Sequence, residues 1–485
     1  MTSAACSGRA ATTSSPTPPR CPPGWRGHSG ACCDERPVPC DLGVRRQSRA
    51  RDRSWSRFRS WPLRRAIPGL AVIPSCCARR RPLRFHAGRY VVVHRRHGEQ
   101  GVSQTDPVKV GVLFSTSGAT GAIGASQRLG TELAIAEINE AGGIDGRELV
   151  AICHDPQSNP ARYAHLAEQL VAQDGVNVIF GCYMSSSRIA VIPVVERWNR
   201  LLFYPTLYEG FEYSRNVIYT GAAPNQNSMQ LADYMTAHYG PRVYLLGSDY
   251  IYPYESNRIM ADLVLQRPGG ARVGERYVRL GATEADFRVA IEEIRASRPD
   301  FIFSTVVGDA TAAFYRAYAD AGFDPVRMPI ASLTTSEAEA RQMGADVACG
   351  HYTAAPYFQS LDTPANRRAL ASLRRHHGAD ATANLCWEAA YFQVHMYAQA
   401  LRRAGSDQID ALLPALLGSS FEAPQGTVRI DPGNHHTWLH PRIGRLRADG
   451  DFAIVRASAA AVAPDPYLVN HVLGDWTVKM TELEP

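Results

Sequence analysis

From Val108 onward the chain alternates short, continuously apolar runs with longer amphipathic stretches, joined by polar residues, glycines and prolines. The runs VKVGVLF, ELVAIC, VNVIFGCY, LLFYPT, VYLLGSDY, FIFSTVV and MPIASLT predict β-strands, because each is apolar without strict alternation and too short for a buried helix. Segments of roughly 12–16 residues with helical spacing separate them. In the first of these, Leu129, Leu133 and Ala136 recur at i, i+4 and i+7 and predict a buried stripe, blurred by Ile135 and Ile138. Strands apolar on both faces belong to sheets covered on both sides. Strands and helices in alternation therefore predict an α/β fold with parallel sheets.

So many strands exceed one core of average size, which predicts two lobes. Turn-rich stretches at Gly221–Asn225, between Thr334 and Tyr357, and at Ala423–Gly426 are the candidate crossings. They assign residues 106–221 and 350–424 to lobe 1, and 222–349 and 425–485 to lobe 2. The last segment, TVRI…HPRIGRL…GDFAIV, predicts antiparallel strands joined at Asp449-Gly450. Three crossings suit two lobes that hinge shut on a ligand.

Charge divides the chain differently. Residues 1–101 carry 20 Arg, no Lys and 5 acidic residues, whereas the rest has a net charge of −9. The body thus has an ordinary acidic surface and is expected to bind no nucleic acid directly. Residues 1–105, rich in Arg, Pro and Ser, are expected to be disordered or an artefact of an upstream start, with Val102 as the true initiator. The stretch AIPGLAVIP is broken by proline and too far along the chain for a secretory signal, and no 18-residue apolar run is present. A cytoplasmic protein is the expectation, with a periplasmic one as the alternative if another start supplies a signal. Seven cysteines precede Val102. Cys153, Cys182, Cys349 and Cys386 in the body form no C-x-x-C and are expected to be reduced thiols.

Candidate chemistry gathers at strand ends, which in an open parallel sheet face the crevice where ligands bind. Tyr183 and Ser185 follow one strand, Tyr204 and Thr206 the next, Ser248, Asp249 and Tyr250 a third, and Thr334 and Thr335 a fourth. One such end is explained by helix capping; four together predict a cleft for a small, neutral, polar molecule. Hydroxyls both donate and accept, so they suit a carbonyl flanked by N–H groups, and the tyrosine rings wall off water. A zwitterionic amino acid requires a carboxylate for its ammonium, for which Asp249 and Glu209 are candidates. An amide or urea fits with fewer requirements.

Other constellations are weaker. Gly118, Gly121 and Gly124 have the wrong spacing for a dinucleotide loop, although Asp155 ends the next strand. His435, His436 and His440 are expected to be solvated hairpin residues, since adjacent side chains on a strand point to opposite faces. Ser185-Ser186-Ser187 with His154 or His165 lacks a nucleophile elbow. No motif argues for catalysis, a cofactor or a metal, so a binding protein rather than an enzyme is expected.

The motifs GCYMSSSR, YPTLYEGFEYS, GAAPNQN, GSDYIYPYESN, STVVG, SLTTSEAE and PDPY…DW resemble the amide-binding regulators of bacterial amidase operons and the related solute-binding proteins for urea and short-chain amides. The resemblance runs from about Val108 to Trp476. It implies a type I periplasmic-binding-protein fold, two Rossmann-like lobes with parallel sheets joined by three crossovers. It also implies a pocket of Tyr183, Ser185, Tyr204, Thr206 and Tyr250, with Thr334. Leu207 departs from the regulators' YPTPYEG, which puts a bulkier side chain at the pocket edge. The regulators are cytoplasmic sensors that sequester an RNA-binding antiterminator, and a sensor that represses an amidase operon is the first expectation. The alternative is the solute-binding component of an ABC transporter for urea, short amides or branched-chain amino acids, with a permease as partner. Self-association is left open.

Overall fold

The computed structural model describes residues 106–468 and 480–483. The expectations for residues 1–105, including a start at Val102, and for Asp475-Trp476 lie largely or wholly outside the described residues. The first lobe comprises β1 (Val108–Leu113), α1 (Gly121–Glu140), β2 (Leu149–His154), α2 (Pro160–Ala172), β3 (Val178–Gly181), α3 (Ser185–Arg197), β4 (Leu201–Tyr204) and β5 (Val217–Tyr219). Its strands form one parallel sheet in the order β2-β1-β3-β4-β5. All residues of β3 and β4 are buried, as continuous apolar runs require when helices cover both faces.

The second lobe runs through α4 (Ser228–His238), β6 (Arg242–Ser248), α5 (Ile251–Leu265), β7 (Ala271–Val278), α6 (Arg288–Ser297), β8 (Phe301–Thr305), α7 (Asp309–Asp320), β9 (Ile330–Ser332), α8 (Glu337–Met343), α9 (Ala345–Ala348) and β10 (Tyr352–Ala355). Then follow α10 (Pro364–His377), α11 (Leu385–Ala404), α12 (Ile409–Leu416), β11 (Ser420–Ala423), β12 (Gly426–Ile430), β13 (Thr437–Trp438), β14 (Arg442–Leu446), β15 (Phe452–Ser458) and β16 (Met480–Glu482). The second sheet is ordered β16-β15-β14-β10-β9-β8-β6-β7, parallel from β10 to β7 and antiparallel beyond β10. The expected hairpin is β14–β15, turning through Asp449 and Gly450, with Gly450 at φ +80°.

Two lobe boundaries differ from the expectation. Tyr352–Ala355, assigned to lobe 1, pairs with β9 and belongs to the second sheet, so that crossing follows Ala355. Residues 426–438, assigned to lobe 2, pair with β11 in a separate three-stranded sheet, and His436 bridges to Tyr219 of the first lobe. The third crossing therefore follows Trp438. A turn-rich run such as Ala423–Gly426 marks a tight hairpin as readily as a change of lobe.

Helix α1 packs on α11 through small residues rather than through the stripe its apolar spacing predicts. Leu133 is buried, but Leu129 and Ala136 are only partly so; Gly130, Thr131 and Ala134 are buried instead. A Cβ at Gly130 would lie 2.3 Å from the Trp387 carbonyl oxygen. At Gly130 the two backbones come so close that no side chain fits between them.

Candidate functional site

The C-terminal ends of β3, β4, β6 and β9 converge on one cavity, lined by Tyr183, Ser185, Thr206, Leu207, Tyr250, Tyr252 and Thr334. Six of these are residues the sequence singles out. The cavity volume is about 10 Å³, counted for the centre of a water-sized sphere. With the sphere's own radius added, a rounded void of that kind spans ~85 Å³, the share of about three liquid waters.

Local structure explains the positions. Ser185 is the first residue of α3 and Tyr250 the N-cap of α5, so two helix N-termini flank the cavity. Neither helix has an acidic residue in its first turn, and free N–H groups there favour a ligand oxygen. Gln127 of α1 fastens β3 and β4 from behind, its amide donating to Thr206 Oγ1 at 2.9 Å and to the Cys182 and Pro205 carbonyls. At Gly210 the backbone has φ +81°, and a Cβ would lie 2.2 Å from the Pro466 oxygen, so only glycine fits the bend after the Thr206–Glu209 segment.

The hydroxyl protons are unevenly disposed. Ser185 donates to Glu209 Oε2 at 2.5 Å, Thr334 to the Val306 carbonyl at 3.0 Å, and Thr206 to the Cys182 carbonyl at 3.4 Å. A hydroxyl has one proton and two lone pairs, so these three have only lone pairs left to offer a ligand. The Tyr252 hydroxyl has no partner in hydrogen-bond geometry, although Ser256 lies near it one turn along α5. Among the described residues the Tyr183 and Tyr250 hydroxyls also make no hydrogen bond. Burial pushes the phenols of Tyr183 and Tyr250 well above their ordinary range, so both keep their protons. The lining residues thus divide into three hydroxyls whose protons are held by the protein and three tyrosine hydroxyls whose protons are not, and no charged side chain lines the cavity.

Charge lies one layer back. The wholly buried Arg188 contacts Glu209 at 3.1 Å and Glu212 at 2.7 Å, with its guanidinium 4.7 Å from the centre of the Tyr204 ring and 4.6 Å from that of Tyr208. Burial opposes its charge, but Tyr204, Glu209 and Glu212 outweigh that and hold it firmly protonated. Tyr204, expected at the pocket, stands in this second layer, because its hydroxyl donates to the Tyr183 carbonyl at 2.6 Å. Asp249 is exposed and accepts from Tyr254, so it offers the cavity no carboxylate. Ser248 and Thr335 also face the core: Ser248 Oγ accepts from Val307 N, and Thr335 Oγ1 meets the Tyr315 hydroxyl at 2.9 Å. Tyr252 is the lining residue that sequence reasoning missed. Its signal was its position two residues after Tyr250 in the same aromatic run.

The remaining constellations have structural roles. Asp155 accepts from Ser117 Oγ at 2.7 Å and from Thr116, and a Cβ at Gly124 would lie 1.9 Å from the Ser115 oxygen, so this glycine loop serves close packing. The expectation of solvated hairpin histidines is corrected for His435 and His436, which are buried. The His436 ring stacks on Tyr219 at 4.1 Å and meets the Tyr208 hydroxyl at 2.5 Å; burial lowers its pKa to about 3. His436, the residue before β13, forms an isolated parallel bridge with Tyr219 at the end of β5, and this carries both inward. Ser187 donates to the Met184 carbonyl, and His154 lies 3.8 Å from Asp174, so neither contact makes a nucleophile–base pair. Cys153, Cys182, Cys349 and Cys386 are free thiols. Among the described residues no group of three or more His, Cys, Asp or Glu could hold a metal, and no helix is long and apolar enough to cross a membrane.

The sequence profile described as "Periplasmic binding protein domain" matches residues 108–472. The chain is 26% identical over 337 residues to the Leu/Ile/Val-binding protein homolog 6 of Brucella suis, covering 68% of this chain and 85% of that protein. It is 31% identical over 131 residues to limonene hydroxylase of Geobacillus stearothermophilus, but spans only 24% of that protein's length. Among solved structures, an ABC-transporter solute-binding protein from Rhodopseudomonas palustris with p-hydroxybenzoic acid superposes with a TM-score of 0.65 at 23% identity, over 72% of this chain and 95% of that one. The branched-chain amino acid transporter substrate-binding protein of Streptococcus pneumoniae with isoleucine gives 0.63 at 20% identity, over 74% and 100%.

Proposed function

Because the chain belongs to the periplasmic binding protein domain family, we propose that it is a carrier that closes two lobes on a short aliphatic amide or urea and delivers it to an ABC-transporter permease. The observation that carries the ligand class is the uncharged lining, in which Ser185, Thr206 and Thr334 give their protons to the protein while the tyrosine hydroxyls keep theirs. A primary amide or urea supplies N–H donors to the first set and a carbonyl to the second. Leucine and benzoate are bulkier than a short amide or urea, and their ionised groups need a partner that the lining lacks. Glu209 is no free partner for an ammonium, since Ser185 and Arg188 already hold it.

The carrier role is preferred to the amide sensor because relatives spanning most of the body are binding proteins and transporter components. A carrier works outside the cytoplasmic membrane and needs no antiterminator. It binds without turnover, so no ammonia is released from its ligand. A calorimetric and thermal-shift panel on the full chain, with acetamide, propionamide, formamide, urea and leucine, tests the reading. A ligand at a hundred times its Kd stabilises by about 2.7 kcal/mol. A larger response to leucine than to every amide and urea overturns the ligand class, and ammonia release overturns the carrier.

A further inference from the structure

Glu209 lines no part of the cavity, yet it decides what one wall of it presents. Its Oε2 takes the Ser185 proton at 2.5 Å, and its Oε1 accepts from Arg188 NH2 at 3.1 Å. Arg188 NH1 also points at Ser185 Oγ from 3.3 Å. Arg188 is itself fixed by Glu212, at 2.7 Å through its Nε and 3.2 Å through NH2, and by the two tyrosine rings. All three members of the Ser185–Glu209–Arg188 group are buried, so solvent does not supply an alternative partner.

We propose that Glu209 is a specificity-determining residue: by holding the Ser185 proton it makes that oxygen an acceptor, so the site takes an N–H-bearing amide and rejects the isosteric carboxylate. The proposal rests on the amide reading of the cavity. A carboxylate such as acetate has the shape of acetamide, but it brings lone pairs to an oxygen that offers only lone pairs, with a carboxylate charge behind it. The tyrosine hydroxyls can serve its other oxygen, but the oxygen beside Ser185 is left facing lone pairs. Discrimination of this kind comes from a buried polar group left unpaired by the wrong ligand.

Glu209→Gln reverses the wiring without emptying it. Arg188 can only donate, so it draws the new carbonyl oxygen to itself and turns the amide NH2 towards Ser185. Ser185 then accepts from that NH2, and its own proton is released towards the ligand. Arg188 keeps both contacts to Glu212.

The test is calorimetric titration of the full chain with acetamide and sodium acetate at pH 7. The wild type is expected to prefer acetamide by about a hundredfold or more, and Glu209→Gln to shrink that ratio at least roughly tenfold, with acetate affinity rising. An unchanged ratio in a variant that still binds acetamide overturns this inference alone. If the wild type binds neither amide nor urea, the amide reading fails and the inference falls with it. Should Glu209→Gln not fold, Ser185→Ala removes the polarised oxygen and leaves the Arg188–Glu209 pair. Its acetamide-to-acetate ratio should also shrink at least roughly tenfold; an unchanged ratio overturns the proposal. A merely structural loss would weaken both ligands together and leave the ratio where it was.

Discussion

The Tyr204 hydroxyl donates to the Tyr183 backbone carbonyl at 2.6 Å, so one tyrosine of the YPT motif braces another that lines the cavity. The bond joins the ends of adjacent parallel strands and fixes how far apart they stand. Tyr204→Phe leaves that carbonyl buried without its donor. Stability should fall by about 1 kcal/mol in urea unfolding, while the Kd for acetamide changes less than for any substitution of a lining hydroxyl. A larger effect on binding than on stability returns Tyr204 to the ligand.

Tyr250 is predicted to behave the opposite way. Its hydroxyl makes no protein hydrogen bond among the described residues and borders the cavity. Tyr250→Phe should weaken acetamide binding by roughly 1–3 kcal/mol with the melting temperature of the ligand-free protein nearly unmoved. Unaltered affinity removes it from the site.

These two tyrosines mark where the sequence is legible. All seven apolar runs contain strands; six are largely buried, which leaves a clear apolar signature, whereas β2 is an edge strand with only Leu149 fully buried. β7 is not visible that way: as an edge strand it pairs only with β6 and carries Arg272, Glu275 and Arg276, so charge masks it. β5 spans three residues, too few for any period. Strand-end position locates the cavity, but the direction of a hydroxyl depends on partners far along the chain. Thr206 and Thr334 reach it while Tyr204 and Thr335 are satisfied behind it. Glu209 resembles a ligand partner in the sequence; only the buried Arg188, one turn into α3, shows that its charge is taken.

Gly130 predicts the cost of widening the α1–α11 contact. Its Cβ would sit 2.3 Å from the Trp387 carbonyl oxygen, a backbone atom that cannot swing aside. Although alanine is the better helix former, Gly130→Ala should destabilise by about 1–3 kcal/mol through overpacking. Chemical denaturation checks this, and a stabilised variant would show that the helices part freely.

Leu207 should set ligand length. It is buried at the cavity wall. Leu207→Ala opens room beside the ligand's alkyl end, so affinity should move from acetamide towards butyramide and longer amides. One methylene in such a pocket is worth roughly 1–3 kcal/mol. Titration along a series from formamide to valeramide reads the shift. An unaltered order of affinities places the alkyl end elsewhere.

Glu337 ties stability to pH. It opens α8, is buried, and accepts the Gln359 backbone N–H at 2.7 Å. Burial pushes its pKa up to about 8, against the opposing pull of that hydrogen bond, with Asp451 and Glu339 adding to the rise. The folded protein therefore holds a proton that the unfolded chain releases near its ordinary value of about 4.5. The contribution is fully present below that value and is lost as pH rises through about 8. Its slope is at most about 1.4 kcal/mol per pH unit. Glu337→Gln keeps an acceptor for Gln359 and cannot ionise, so its stability advantage over the wild type should grow from pH 5 to pH 8. Urea unfolding of both proteins at pH 5, 6.5 and 8 measures it; a difference that stays constant means that Glu337 does not titrate in this range.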